Sequence, residues 1–410
     1  MGNKTIIIGG GPAGLIAAGF CGKNGHEVTV LERNDRPARK LMITGKGRCN
    51  ITNDASLDTL IKSTPRNGRF LYSAFSQFSP TDLINLLHSL HLPTKVERGN
   101  RVFPVSDKSV DVVDTFVYFA KKNSVKIIRG RAVSFICEDG LIKAIKLENG
   151  NLLYADHVIL ATGGLSYPVT GSTGDGYMLA ESVGHTIISP VASLVPLNVH
   201  EGFVGELMGL SLKNINITVH DNEKGKDIYS DFGEMLFTHF GLSGPVILSA
   251  SAHMRDMKEN KYSVFIDLKP ALSNEQLDQR LQRDFEKNLN KDFSNSLDEL
   301  LPKKLIPIMI KRSGIPPLTK VNQITKEQRT SLVTLLKGFS FLITSTRPIE
   351  EAIITSGGVK VSEIDPKTMR SKLVSNLYFA GEIIDVDAYT GGFNLQIAFS
   401  TGYVAGNAVG

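Results

Sequence analysis

The sequence predicts an α/β fold in which a parallel-sheet domain is discontinuous, interrupted by an inserted domain that is β-barrel-like and then helical. Three observations predict it. A continuous β-branched run, Thr5-Ile6-Ile7-Ile8, leads through a glycine-rich turn into an apolar helical stretch. The same buried α/β texture pauses near residue 190 and resumes near residue 350. Between those points the pattern is first alternating and then helical. The implied division is residues 1–190 and 350–410 for the first domain and 191–349 for the insert, β-rich over 191–270 and helical over 271–342.

Thr5 to Ile8 suits a strand covered on both faces, where no polar alternation is needed. A helix from Ala13 to about Lys23 and a strand from Glu27 to Glu32 complete a β-α-β unit. Ser109 to Lys122 reads as a helix and Val125 to Cys137 as one strand. Leu141 to Leu147 and Leu152 to Ala155 flank Asn149-Gly150, a dipeptide that accepts the positive φ of a tight turn, and read as a hairpin. His157 to Ala161 is a further buried strand, ending at Thr162-Gly163-Gly164. In the insert, Asn214 to His220 and Tyr262 to Leu268 read as strands. Two helix starts carry capping boxes, Ser273 with Gln276 and Thr325 with Gln328, whose side chains satisfy N–H groups that a helix terminus leaves unpaired. Leu377 to Ala380 is a short strand and Asn394 to Val409 the last helix.

At 410 residues, 41% hydrophobic and 21% charged, the chain can bury a sizeable core. It has no apolar run of the roughly 18 residues a membrane span needs, and the apolar stretch from Thr5 to Phe20 is broken by Gly9, Gly10, Gly11, Pro12 and Gly14, which argues against a signal peptide. Cys21, Cys49 and Cys137 are odd in number and lack C-x-x-C spacing. Neither a disulfide framework nor a metal site is expected, and a reducing, cytoplasmic compartment fits. The net charge of +5 is unevenly spread. Residues 301–347 hold Lys303, Lys304, Lys311, Arg312, Lys320, Lys326, Arg329, Lys337 and Arg347 against Glu327 alone, while 271–300 hold four basic and seven acidic residues. Such a basic segment can grip a polyanion or be a solvated helical surface, and both readings stay open at this point.

Gly9-Gly10-Gly11-Pro12-Ala13-Gly14 fits G-x-G-x-x-G between a strand and a helix, and Glu32 closes the next strand 18 residues beyond Gly14. Gly9 permits the tight turn, Gly11 lets the backbone approach a pyrophosphate, and Gly14 lets helix and strand pack closely. The helix N-terminus meets the negative charge, and Glu32 can accept from ribose hydroxyls. The motif therefore predicts a Rossmann-type dinucleotide-binding unit and leaves FAD and NAD undistinguished. Gly171 to Gly176 is glycine-rich but does not follow a strand, so a second such unit is not predicted.

Further segments carry a resemblance: Arg39-Lys40-Leu41 through Gly45-Lys46-Gly47-Arg48-Cys49-Asn50-Ile51-Thr52-Asn53; Arg101-Val102-Phe103-Pro104; Ala161-Thr162-Gly163-Gly164; Gly233 to His239; Gly241-Leu242-Ser243-Gly244-Pro245; and Phe379-Ala380-Gly381-Glu382 through Gly391-Gly392-Phe393-Asn394-Leu395-Gln396. Together they resemble bacterial NAD(P)/FAD-dependent oxidoreductases of the BaiN/RdsA type, related more distantly to glutathione-reductase-like flavoproteins. The resemblance implies bound FAD, a discontinuous Rossmann-type FAD-binding domain, and NAD(P)H as a transient electron donor. It implies adenosine and pyrophosphate contacts at Gly9, Gly11, Pro12, Ala13, Gly14, Glu32, Arg33, Arg39, Lys40, Leu41 and the backbone of Val133. Further cofactor contacts are implied at Gly47, Arg48, Ala161, Thr162, Gly163 and Gly392, the ribityl and phosphate segment at Gly381, Glu382 and Asp385, and the start of the last helix at Asn394 and Leu395, its positive end facing the flavin pyrimidine. Lys46, between two glycines, departs from the small residue the resemblance leads one to expect.

The resemblance also implies a reaction: hydride reduction of a conjugated C=C bond. The leading substrate is uridine in large-subunit ribosomal RNA, giving dihydrouridine, with segment 301–347 holding phosphates. A small steroid-type enone is an alternative substrate, oxidation of a small aminoacetone-type amine an alternative reaction, and a non-catalytic flavin-bearing RNA-binding factor an alternative role. A C=C reduction needs a donor to the developing enolate oxygen and an acid for the α carbon. The Gly45 to Asn53 loop is expected over the flavin, with Arg48 as donor or anchor and Cys49 as acid, its thiolate favoured by neighbouring cations. Cys49 can equally be a small buried residue filling a turn. His239, beside Gly241-Leu242-Ser243-Gly244, is a second acid or substrate donor, or a structural histidine. Tyr167 and Tyr389 flank glycine-rich loops and can stack on a flat substrate or simply lie at the surface.

Overall fold

The computed structural model describes residues 2–410. The chain divides into two units, Met1–Ser193 with Pro348–Gly410, and Leu194–Arg347. In the first unit the elements that position the site are β1 (Lys4–Ile8), α1 (Pro12–Lys23), β2 (Glu27–Glu32), β3 (Lys126–Arg129), β4 (His157–Leu160), β5 (Leu377–Phe379) and α2 (Phe393–Ala408). The five strands form one parallel sheet in the order β5-β4-β1-β2-β3. The isoleucines of β1 are buried because β1 is the middle strand and both of its faces are covered.

Helices α1 and α2 are apolar nearly all round, as helices packed inside a domain must be. They meet through small residues. A Cβ added at Gly402 would stand 2.4 Å from the Ala13 carbonyl oxygen, so only glycine allows this approach of two backbones. The single strand expected from Val125 to Cys137 is two strands. β3 joins the parallel sheet, while Ala132–Glu138 pairs antiparallel with Leu141–Leu147, which pairs in turn with Leu152–Tyr154. The break lies at Gly130, whose N–H donates to the Glu32 carbonyl at 2.8 Å and whose Cβ, were there one, would meet Leu31 at 2.8 Å. The chain thus hugs the end of β2 while changing sheets.

The second unit contains a closed antiparallel barrel in the order Leu197–Val199, Gly241–Ser243, Lys226–Phe237, Ser211–Asp221, Tyr262–Asp267 and Phe339–Thr346. Helices Asn274–Glu286, Ile306–Ser313 and Lys326–Lys337 share its apolar core, Leu277, Leu281, Met309 and Leu336 clustering with Phe339 and Phe341. Both capping boxes form as the sequence predicts. Much of the basic charge of 301–347 is matched inside this unit. Lys320, Arg329 and Lys337 pair with Asp292, Asp278 and Asp267. Among the described residues no helix is long and apolar enough to cross a membrane, and no group of His, Cys, Asp and Glu could hold a metal ion.

Candidate dinucleotide and flavin site

The fingerprint turn sits between the C-terminal end of β1 and the start of α1. Gly9 has φ +106, and a Cβ there would lie 2.4 Å from the Ala161 carbonyl oxygen; a Cβ at Gly14 would lie 1.9 Å from the Gly9 oxygen. Protein packing therefore dictates both glycines. Gly11 is different: a Cβ there would meet nothing within 4 Å. Space is left open in front of α1, whose N-cap is Gly11, whose first helical residue is Pro12, and whose first turn has neither a side-chain cap nor an acidic residue. Its free N–H groups and positive dipole end suit a diphosphate. The Glu32 carboxylate, buried at the end of β2, accepts from Gly10 N–H at 2.8 Å and from the backbone and side-chain N–H groups of Asn34, both at 2.8 Å. A carboxylate so fixed keeps lone pairs for ribose hydroxyls.

Beyond Glu32, Arg33 and Arg131 converge on Asp175, at 3.2 Å and 2.7 Å. Next to Arg131, Val133 is skipped in the pairing register of its strand, where Ala132 opposes Leu147 and Ser134 opposes Lys146. Val133 as a residue is exposed. Arg39 is exposed and donates to Asn34 at 3.3 Å. Leu41, a predicted cofactor contact, lies in the core at 1% exposure. The physical reason is its place on the inner face of a short helix, Arg39–Ile43.

Lys40 and Glu382, far apart in sequence, form an ion pair at 2.7 Å. Lys40 also donates to Ser166 at 2.6 Å, Ser166 donates to Glu382 at 2.9 Å, and Thr355 N–H donates to the same carboxylate at 2.9 Å. Sequence reasoning missed Ser166 and Thr355, which carry no local signature. Gly381 packs on Ala13, a Cβ there falling 2.9 Å from the alanine methyl. Asp385 is buried in an ion pair with Arg66, and Asn67 donates to its backbone carbonyl at 2.6 Å. Arg66 too was invisible in the sequence, being 319 residues from its partner.

The N-terminus of α2 opens at Gly392, φ +102, again without a side-chain cap. Asn394 uses its amide to clamp the preceding loop, donating to Ala388 C=O at 2.7 Å and accepting from Ala388 N–H at 2.9 Å, while Leu395 packs against the core. The end of the 45–53 loop meets this terminus directly. Asn53 donates to Gly391 C=O at 2.9 Å, Thr52 donates to Gln396 at 2.5 Å, and a Cβ at Gly392 would collide with the Thr52 carbonyl. Two buried polar atoms near these segments have no partner among the described residues: the Thr162 hydroxyl, following β4 and ahead of Gly163, and the Asn50 amide oxygen. Open space at Gly11, two uncapped long helices and these unpartnered atoms fit a bound flavin dinucleotide.

For the two chemical residues of the loop the structure favours the alternative readings, a buried turn-filling Cys49 and an anchoring Arg48. Cys49 is fully buried, and burial pushes its thiol up to about 12, against a smaller opposing effect of its hydrogen bond with Thr44. Neighbouring cations therefore do not make it a thiolate, since they do not reach a desolvated sulfur. Arg48 is not a free donor. All three guanidinium nitrogens are engaged by Glu97 and Asp107, and the group lies 4.2 Å from the Phe103 ring centroid. It anchors the loop, as does Gly47 by taking φ +83. His239 belongs to the second unit, exposed, with its ring against Phe240 at 5.0 Å. Tyr167 is half-buried, its ring 6.0 Å from the Lys40 ammonium, and Tyr389 N–H donates to Ser63 C=O at 2.9 Å.

The family described as HI0933-like protein Rossmann domain matches residues 3–408. A 3-dehydro-bile acid delta(4,6)-reductase of Clostridium scindens is 31% identical, over 99% of this chain and 98% of that protein. A ribosomal RNA dihydrouridine synthase of Haemophilus influenzae is 32% identical, over 98% of this chain and 97% of its own length. In fold the chain is similar to the solved 3-ketosteroid delta1-dehydrogenase of Sterolibacterium denitrificans, with a TM-score of 0.54, 12% identity and 99% of each chain covered.

Proposed function

The chain belongs to the HI0933-like Rossmann-domain family and is an FAD-dependent oxidoreductase; from that premise we propose that it reduces a conjugated C=C bond, with uridine in large-subunit ribosomal RNA as substrate, dihydrouridine as product and NAD(P)H as electron donor. One observation carries the reading: relatives matched along essentially the whole chain are named for a bile acid reductase and a dihydrouridine synthase. Both names describe saturation of a C=C bond conjugated to a carbonyl. FAD, when bound, supplies the two-electron carrier such a reduction needs.

The chain's own residues supply binding and orientation. The N–H groups at Gly11 and the first turn of α1 would hold the diphosphate, Glu32 the ribose and the Val133 backbone the base. The Lys40–Glu382–Ser166 network and the Arg66–Asp385 pair fix the segment that follows β5. The uncapped start of α2 presents a positive dipole end that favours negative charge on a flavin ring edge. Cys49 and Ile51, both at 0% exposure, form an anhydrous underside to the loop that Arg48 anchors.

Nucleoside mass spectrometry on RNA from a strain lacking the protein tests the substrate. Dihydrouridine should vanish at one site of the large-subunit RNA and return with the wild-type chain; unchanged RNA refutes the assignment. The bile acid reductase relative favours a small enone as a second substrate class. Under anaerobic conditions, protein-bound flavin bleached by NAD(P)H should then be reoxidised by the enone.

A further inference from the structure

We infer that Lys46 is a substrate-binding residue whose ammonium pairs with an oxyanion of the substrate, a phosphodiester beside the reacting base in the reading above, on which this inference rests. The argument begins with the backbone. Residues 45, 46 and 47 all occupy the left-handed region, with φ of +57, +58 and +83. Glycine takes that conformation without cost, and Gly45 and Gly47 do so. A lysine takes it at a cost, because its Cβ crowds the following carbonyl. Glycine at 46 would make the same turn unstrained. The residue that stands there instead has a long cationic side chain, which the turn itself does not require.

The side chain has no structural work to do. Lys46 is exposed, and among the described residues its ammonium enters no ion pair or hydrogen bond. The cations that build the clamp around the loop are engaged: Lys40 by Glu382, Arg48 by Glu97 and Asp107, and Lys95 by Asp107 at 2.6 Å.

The loop that carries Lys46 is held on both sides. Arg48 ties it to the Thr94–Glu97 strand and stacks on Phe103, Cys49 sinks into the core, and Cys49 N–H closes the turn on Thr44 C=O at 3.0 Å. Strain of this kind persists only where the surroundings over-determine it, and it gathers at ligand clamps. The same loop continues to Thr52 and Asn53, which lock onto the start of α2. A free ammonium, held on a rigid turn a few residues from the flavin-side helix terminus, is placed for an anion brought in with substrate. A lysine meets a phosphate as a point charge and needs no bidentate geometry.

The test compares wild type with Lys46→Gly and Lys46→Arg, each loaded with FAD, on ribosomal RNA from a deletion strain. Lys46→Gly should keep flavin occupancy and melt no lower than wild type, since it removes strain and no contact. Its KM for RNA should rise about tenfold and the slope of log affinity against log salt should fall by about one, while Lys46→Arg retains most of both. An unchanged KM and salt slope overturns the inference, and so does a drop of several degrees in Tm, which would make the lysine structural.

If the wild type leaves RNA untouched, the substrate reading has failed and the inference is decided on a carboxylate-bearing steroid enone against its methyl ester. Wild type preferring the carboxylate, with the preference lost in Lys46→Gly, sustains an oxyanion contact. Equal kcat/KM for the two compounds in both proteins overturns it.

Discussion

At Gly11 the backbone conformation, φ −74, is open to any residue, and an added Cβ would touch no protein atom within 4 Å. Packing makes no demand for glycine there, and the proposed reason for it is the approach of the dinucleotide. Gly11→Val is therefore expected to leave the apo-protein Tm within about 2 °C while abolishing flavin uptake, read as loss of visible absorbance after reconstitution. Gly14→Ala is the contrast, since its methyl would stand 1.9 Å from the Gly9 oxygen; it should lower stability by about 1–3 kcal/mol whether or not flavin is present. These glycines and Glu32 were legible because motif spacing reports local backbone geometry. Cys49 was legible only as two alternatives: the charges beside it in sequence suggested a thiolate and the turn suggested a small buried residue, and burial, a property of the tertiary fold, pushes the thiol to about 12 and favours the second. Alkylation of the native protein near pH 8 should label the exposed Cys137 and spare Cys49, with peptide mass spectrometry as the readout. Rapid labelling of Cys49 in the folded state would show that the loop opens.

Among the elements, the loop from 44 to 53 depends on a cluster of charges supplied by another hairpin. Arg48 and Lys95 hold the Glu97 and Asp107 carboxyls below their ordinary values, and Arg48 is raised in return. A carboxylate with a depressed folded-state pKa contributes stability that is present above its unfolded pKa and lost as pH falls through the folded one. The clamp should accordingly be complete at neutral pH and release in acid, below the usual carboxylate range. Arg48→Met is expected to flatten that acid limb in a series of melts from about pH 3 to pH 6, and a limb identical to wild type would assign the acid sensitivity elsewhere. Sequence patterning found the β-α-β unit, the hairpin after Leu141 and both capping boxes, since period and capping chemistry are local, and left other elements such as the Pro80–Ser89 helix and the Lys226–Phe237 strand unassigned. It read one strand where Gly130 divides two, because nothing local marks the point at which a chain leaves one sheet for another. Arg66 with Asp385 and Lys40 with Glu382 were illegible as pairs for the same reason: each joins segments more than 300 residues apart.

For the molecule as a whole, charge separates folding from recognition more sharply than the sequence alone allowed. The basic stretch 301–347 and the acidic stretch 271–300 looked like independent features, yet the second unit folds them onto one another. Lys320 and Arg329 pair with Asp292 and Asp278 at 2.8 and 2.6 Å, and Lys337 pairs with Asp267 at 2.5 Å while also donating to the Leu272 carbonyl at 2.8 Å. Arg329 and Lys337 hold one helix to another and to the barrel, and Lys320 ties two loops together, so these three cations are poor instruments for binding RNA. Lys303, Lys311 and Lys326 are exposed and, among the described residues, enter no ion pair. A polyanion partner should therefore feel the second group and not the first. Replacing Lys303, Lys311 and Lys326 together with glutamate should weaken binding to ribosomal RNA and lower the salt slope by up to about three, with the melting temperature nearly unchanged. Arg329→Ala should do the reverse, lowering Tm because Asp278 loses its partner, while the salt slope stays where it was. If the triple replacement leaves the salt slope intact, the basic segment is only a solvated helical face, and phosphate recognition must be sought in the first unit, at the loop that carries Lys46.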